Sequence, residues 1–405
     1  MPRIPVLAAV LALGLSASAP SAADPDPANW PSVLAAARGE TVYFNAWGGS
    51  ENINDYIAWA GGEVERRYGV ALEHVRLSET ADAVNRVLSE KQAGRIEGGA
   101  VDLIWINGEN FAAMKRAGLL LPEAWADTLP NYALADTEGK PTLLTDFTTP
   151  VCGRESPWGT AQLTFYYDSA ELSAPPEDIA ALGRWIAENP GRFTYAAPPN
   201  FIGTTFLKQL AYGLFDDPSV LSKSADPEKF GAITAPLWAF LDKVHPDLWR
   251  SGRVFAADTT QLKTLFGDRE IDIAMTFNPG EASSAIHDGL VPDTVRSFVM
   301  DYGTIGNAHF LAIPFNASAK AGAMVVANFL LSPEAQVKKA DEAVWGDPTV
   351  LAYEKLAPED QALFDALDNG PATLGPDALG KALSEPDPSW TEMLEAEWQR
   401  RYVGG

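Results

Sequence analysis

The sequence predicts an α/β protein of two lobes, each a mostly parallel sheet flanked by helices, with a ligand cleft between them. Three observations carry that prediction. Short apolar strands alternate with helices at crossover spacing in both halves of the chain. Polar loops bearing aromatic, amide and carboxylate side chains follow strands in each half, where open α/β sheets bind ligands. The 405 residues, 46% of them hydrophobic, suffice for two separate cores.

The first element reads as an address. Residues 1–23 (MPRIPVLAAVLALGLSASAPSAA) place one arginine before an apolar run and then small residues, the pattern of an export signal cleaved near Ala23. The run is too short for a bilayer, and no later stretch approaches the roughly 20 apolar residues a spanning helix needs. Cys152 is the single cysteine, so no lipid-attachment cysteine follows the signal and no internal disulfide can form. The expectation is an exported, periplasmic monomer without membrane insertion.

In the first half, 40–46 (ETVYFNA) is β-branched and aromatic and ends in Trp47-Gly48-Gly49-Ser50. A helical pattern over 53–68 stops at Gly69, and 70–77 (VALEHVRL) alternates like a strand. A helix over 83–93 leads to 101–106 (VDLIWI), a buried parallel strand in which Trp105 reads as core. Asn107-Gly108-Glu109-Asn110 then open a helix over 111–117, ended by Gly118. The second half repeats this logic. It has strands at 162–167 (QLTFYY), 192–197 (RFTYAA), 271–277 (IDIAMTF) and 309–314 (HFLAIP), with helices at 179–188 and 319–331. Asn200, Phe201 and Gly203 lie in a loop before a helix that Thr204 or Thr205 can cap, and Asn278-Pro279-Gly280-Glu281 follow the third of these strands. The tail after Leu356 is helical pieces broken by proline and glycine.

Charge and motifs remove several function classes. With 54 acidic against 30 basic residues the net charge is −24, which repels a nucleic-acid backbone and leaves cationic or neutral ligands. The four histidines form no i, i+4 pair, no G-x-S-x-G elbow occurs, and the G-x-x-x-x-G-K match at 375–381 lacks both its hydroxyl and a preceding strand. Tyr166 and Tyr167 sit in a strand and face opposite ways, which prevents a shared metal. No catalytic group, metal or cofactor is expected. The candidate ligand-binding residues are those of the strand-end loops: Trp47, Gly48, Gly49 and Ser50; Asn107, Glu109 and Asn110; Asn200, Phe201 and Thr204; Asn278 and Glu281; with Trp158 just before the first crossing between lobes. Each has a plainer alternative. Trp47 and Trp158 can cap a core, Thr204 can cap a helix, and either glutamate can be a solvated loop carboxylate. Glu109 and Glu281 on facing loops among aromatics together suit a cation.

Five stretches resemble one family: VYFNAWGGS, GGAVDLIWINGENFAAMKRAGLL, WGTAQLTFYYDSAEL, IDIAMTFNPGE and AIPFNASAKAGAMVVANFLLSPEAQ. Nearly the whole chain after the signal is similar to the extracellular solute-binding proteins of ABC importers, family 1, and within it to the YnjB-like subgroup loosely tied to thiamine uptake. The resemblance implies a type II periplasmic binding-protein fold that closes on one solute. It puts the crossings near 162–166 and 306–313, with Asn307 beside the cleft. Lobe one becomes 24–161 with 308–345, and lobe two 166–305 with 346–405. The implied partners are a small solute, an organic cation such as thiamine or a polyamine, and the permease subunits of the importer. A secreted enzyme working through Glu109 and Glu281, or a ligand-sensing interaction module, are the alternatives.

Overall fold

Two hydrophobic cores organise the chain in the computed structural model, which describes residues 25–380 and 382–403. The expected export signal, 1–23, lies outside the described residues. The first core gathers 33–158, 308–345 and three residues of the tail, and the second gathers 163–300 with Ala372, Trp390, Leu394 and Trp398.

In chain order the strands are β1 (Thr41–Trp47), β2 (Ala71–Leu77), β3 (Leu103–Ile106), β4 (Thr145–Asp146), β5 (Thr149–Pro150), β6 (Glu155–Gln162), β7 (Thr164–Asp168), β8 (Ile273–Thr276), β9 (Val295–Phe298) and β10 (Gly306–Ala312). The first sheet has the order β2-β1-β3-β10-β6. Its β1–β2 and β1–β3 pairs are parallel, and its β3–β10 and β10–β6 pairs are antiparallel. The parallel pairs follow from helical crossovers. Glu51–Tyr68 buries Ile53, Tyr56, Ile57, Ala60 and Val64, the spacing of one helix face, and ends where Gly69 takes φ +68°.

One residue separates the sheets. β6 belongs to the first and β7 to the second, with Leu163 between them; its N–H donates to the Ile305 carbonyl at 2.8 Å, so the outward and return crossings lie side by side. Leu383 of the tail pairs with Ile305 as well.

The second sheet differs from the expected mostly parallel one. Its order is β8-β7-β9, and both pairings are antiparallel. The reason is the crossing. β7 leaves the interlobe region at Thr164, opposite Thr276, where β8 arrives at it. A strand that departs from the cleft must run against one that reaches it. The expected strand 192–197 is reduced to single parallel bridges, Phe193 to Ile273 and Ala196 to Ala256. Its other backbone groups bond to irregular chain: the Phe193 carbonyl accepts from Trp249 N–H and the Tyr195 carbonyl from Ala256 N–H. The tail is also divided: the resemblance places 346–405 in lobe two, but Val350, Leu351 and Leu356 pack in the first core.

Candidate functional site

A cavity of about 270 Å³ lies between the two cores and draws its walls from both. On the first side, β1 delivers Trp47 to it. Gly49 packs against that indole, and a Cβ there would stand 2.3 Å from the ring. Gly48 and Gly49 do not line the cavity themselves; Ser50 and Asn52, opening the next helix, do.

After β3 the chain turns sharply at Gly108, with φ +60° and ψ −127°. That conformation suits glycine alone, and a Cβ there would meet the Phe147 ring at 2.4 Å. Both carboxylate oxygens of Asp146 accept the Gly108 N–H at 2.7 Å, which pins the turn so that Asn107, Glu109 and Asn110 line the cavity.

The two tryptophan expectations exchange places. Trp158 is fully buried in the first core, 6.0 Å from Phe44 and 5.0 Å from Trp105 between ring centroids, and does not line the cavity. Trp105, read as core, does line it. Both faces of β3 are covered at Leu103, Ile104 and Ile106, and only Trp105, near the strand's carboxyl end, is part-exposed. Its ring stands 5.7 Å from Trp345, which stacks on His309 at 12°. His309 Nε2 lies 3.1 Å from Asp347 Oδ2, and the buried Lys339 ammonium donates to the same oxygen. Burial pushes Lys339 down, against the pull of Asp347. This floor has room only because position 159 is glycine, where a Cβ would stand 1.9 Å from His309 Nε2.

On the second side, Asn200 rather than Thr204 or Thr205 caps the helix Phe201–Leu214, its side chain accepting from Ile202 N–H at 3.2 Å. The helix begins before the threonines, so Phe201, Thr204 and Lys208 form one lining face. Lys208 is ion-paired to Glu385 at 2.6 Å. Asn278 donates to the Trp345 carbonyl at 3.1 Å. Glu281 is not a free carboxylate: Lys263 stands 3.0 Å from it, and the Thr276 hydroxyl donates to it at 2.5 Å. Asn307, on β10, donates to Glu385 at 3.0 Å. Two bonds cross the mouth, Thr260 hydroxyl to Gly49 carbonyl at 3.1 Å and Asn52 amide to Asp288 at 3.4 Å.

Further acidic and hydroxyl residues line the cavity. Glu79 ends the loop after β2, a strand-end position like the others. Asp258 caps the helix Thr259–Gly267, and Thr391 and Glu395 arrive from the C-terminal helix, Pro388–Tyr402; no local sequence pattern marks these three. The Thr204 hydroxyl donates to Glu395 at 2.7 Å. Burial first, then the nearby Glu109 and Glu79, push Glu395 up to about 7 against the pull of Thr204 and Lys208. Burial also raises Glu109, opposed by Lys208, and raises Glu79, reinforced by Asp82, Glu109 and Asp258.

Charge in the cavity is therefore unbalanced. Its two lysines, Lys208 and Lys263, each hold a carboxylate of the protein's own. Glu79, Glu109, Asp258, Asp288 and Glu395 have no ion-pair partner among the described residues. Nor, among the described residues, do three such groups converge as metal ligands would.

Comparison with known proteins gives a consistent picture. A family model described as bacterial extracellular solute-binding protein matches residues 59–362. Protein YnjB of Escherichia coli K12 is 45% identical over 374 residues, 92% of this chain and 94% of its own length. Among solved structures, the periplasmic binding protein AfuA of Actinobacillus pleuropneumoniae, with fructose-6-phosphate bound, superposes with a TM-score of 0.64 at 13% identity, covering 90% of this chain and 99% of that one. The spermidine/putrescine transporter substrate-binding protein PotD of Streptococcus pneumoniae gives 0.60 at 17% identity, with 90% and 99% covered. At these identities the two structures speak for the fold.

Proposed function

The chain belongs to the family of bacterial extracellular solute-binding proteins, and from that premise we propose that it captures an organic cation between its lobes in the periplasm and delivers it to the permease of an ABC importer. The observation that carries this reading is the set of five cavity carboxylates without a basic partner among the described residues. Glu109, Asp258 and Glu395 are half-buried while Glu79 and Asp288 are exposed. The half-buried three lose part of their hydration with no ion pair to replace it, and a cationic solute is the group that can.

Helix ends support the same choice. The N-terminus of a helix is a ready seat for a phosphate or carboxylate. Here the helices Thr80–Gln92, Glu109–Ala117, Thr259–Gly267 and Glu281–His287 carry Glu79, Glu109, Asp258 and Glu281 at their starts. A sugar phosphate of the kind bound by AfuA would meet the protein's own carboxylates beside those helix starts, with Asp258 already accepting from Gln261 N–H, whereas a polyamine of the kind named for PotD carries the complementary charge. The carboxylates are spread around the cavity rather than gathered on one point, which suits an extended organic cation better than a metal ion. Trp47, Trp105 and Trp345 offer faces to a flat or methylene-rich cation, so thiamine and polyamines are the two kinds of solute to test. Closure follows if the solute makes contacts only a closed form offers, and the bonds from Thr260 to Gly49 and from Asn52 to Asp288 link the two sides of the cavity in this structure.

Native mass spectrometry of freshly purified protein, with denaturation to release any bound compound, followed by calorimetry with thiamine, putrescine and spermidine, tests the reading. A cation bound with at least micromolar affinity is expected. Capture of a sugar or a sugar phosphate, with no heat from any cation, overturns it.

A further inference from the structure

The floor of the cavity holds a histidine whose two ring nitrogens are placed differently. His309, on β10, lines the cavity and is 5% exposed. The Nε2–Cδ2 edge of its ring is turned to the wall. A Cβ at Gly159 would stand 1.9 Å from Nε2 and 2.5 Å from Cδ2, and Asp347 Oδ2 lies 3.1 Å from Nε2. Nδ1 lies on the opposite edge, and no described residue bonds to it. Several buried polar atoms lack partners, the neighbouring Trp158 Nε1 among them, but Nδ1 is not one of these sealed atoms. What surface the ring keeps is therefore open to the cavity it lines.

Asp347 decides what Nδ1 can do. A carboxylate only accepts, so the hydrogen between the two side chains belongs to Nε2, and in the neutral ring Nδ1 is then a bare acceptor. Charge at the floor is already balanced, because the buried Lys339 ammonium pairs with Asp347 and lies 5.6 Å over the Trp345 ring. A second ammonium brought here would meet Lys339 rather than a free carboxylate. Flat faces surround the position, with Trp105 5.2 Å from the imidazole and Trp345 stacked on it at 12°.

We propose that His309 Nδ1 accepts a hydrogen bond from a flat, uncharged N–H group of the solute, a ring amino group or an amide, while the cationic end of the solute reaches the unpaired carboxylates. The inference rests on the cation reading above and narrows it to solutes with two unlike ends. An acceptor stripped of water by a solute that offers it no hydrogen is costly, so His309 selects as well as touches.

The test uses the full chain at pH 8 and two pairs of solutes. One pair is thiamine and its analogue with hydrogen in place of the pyrimidine amino group. The other is N-acetylputrescine and its analogue methylated on the amide nitrogen. By calorimetry, the member of each pair that keeps the N–H is expected to bind wild type at least about fivefold more tightly. In His309→Phe that preference should fall to about twofold or less, whereas a merely steric preference would survive. Nitrogen-15 spectra of the histidine rings read wild type directly and need no variant to fold. His309 should carry its hydrogen on Nε2, and its Nδ1 signal should move upfield when thiamine or N-acetylputrescine binds. A hydrogen on Nδ1, ring nitrogens unmoved by bound solute, an undiminished preference in His309→Phe, or equal binding within both pairs overturns the role of His309. Binding of putrescine or spermidine with neither N–H-bearing solute taken up does the same and leaves the cation reading standing. Failure of every cation to bind wild type overturns both.

Discussion

The ammonium of Lys208 and the carboxylate of Glu385 meet 2.6 Å apart with side chains 2% and 0% exposed, so the cation deepest in the cleft is neutralised before any solute arrives. Lys208 also lies 4.8 Å over the Phe147 ring of the first lobe and 5.8 Å over that of Phe201. Breaking such a pair by removing one partner leaves an uncompensated buried charge and costs about 3–5 kcal/mol. Lys208→Met and Glu385→Gln are each expected to lower the urea unfolding free energy by that order. The double variant should recover most of the loss, since the glutamine can still accept from Asn307. Additive losses in the double variant would mean that the two groups do not compensate one another.

Acid should weaken the second lobe through His245. Burial pushes this imidazole down to about 4 from 6.5. Its Nε2 lies 2.7 Å from the Tyr195 hydroxyl, which also accepts from Trp398 Nε1 at 2.7 Å. A lowered folded pKa means stability present above 6.5 and lost as pH falls through 4, because the unfolded chain takes the proton first. The loss is at most about 3 kcal/mol. Urea midpoints measured from pH 7 to pH 4 should fall less steeply for His245→Gln than for wild type.

Local pattern made much of this architecture legible, and the exceptions have physical causes. Helix-spaced apolar residues such as Ile53, Tyr56, Ile57 and Ala60 marked a helix face, and the polar residues after β1, β3 and β8 reach the cavity as loops at strand ends should. An apolar run such as 101–106 does not mark where its cover ends, so it reads Trp105 as core, although both faces of β3 are covered at Leu103 and Ile104 and Trp105 reaches the cavity while Trp158 is buried. Antiparallel pairing in the second sheet depends on where β7 enters, a property of the crossing and not of the strand's own residues. Glu395 and Thr391 reach the cavity through tertiary packing of the last helix on Phe201–Leu214, with Thr204 and Glu395 bonded across 191 residues of sequence, and no short-range signal encodes that.

The side of the molecule at Gly280 has no spare room. A Cβ at Gly280 would lie 2.4 Å from the Gly346 carbonyl oxygen, backbone against backbone, while Asn278 and Ser284 bond to the Trp345 and Glu342 carbonyls on either side. Gly280→Ala should wedge this contact open and disfavour closure. The expected result is at least tenfold weaker solute binding and a radius of gyration, by small-angle scattering with solute, above that of wild type. Unchanged scattering and affinity would show that closure does not press these backbones together.

The floor offers a further steric test. Gly159→Ala would drive a methyl group into His309 and Asp347, and the buried Lys339 that pairs with Asp347 is held by the Asp347 and Pro348 carbonyls as well. Overpacking of this kind costs roughly 1–3 kcal/mol, and displacement of a buried charge adds to it. A lower melting temperature together with altered near-ultraviolet dichroism from Trp105 and Trp345 is the expected outcome; a wild-type melt would mean that the floor yields more readily than its packing implies.

The last prediction ranks the cleft's carboxylates against its tryptophans. Stacking a cation on tryptophan is worth about 0.5–2 kcal/mol, so Trp47→Ala should weaken an organic cation by about two- to thirtyfold. Removing a buried carboxylate partner strands the solute's charge and costs roughly 2–5 kcal/mol, so Glu109→Gln should do more harm than Trp47→Ala. Glu281 acts differently, because its charge is already met by Lys263 at 3.0 Å. Glu281→Gln frees that lysine inside the cavity, and the uncompensated ammonium then repels a cationic solute. Lys263→Met alone should tighten binding by releasing Glu281, and adding it to Glu281→Gln should restore much of the lost affinity. Calorimetry on these variants with one cationic solute decides the ranking. If Glu109→Gln binds as wild type while Trp47→Ala does not, the solute is held by stacking rather than by charge, and a neutral ligand becomes the better account of the cleft.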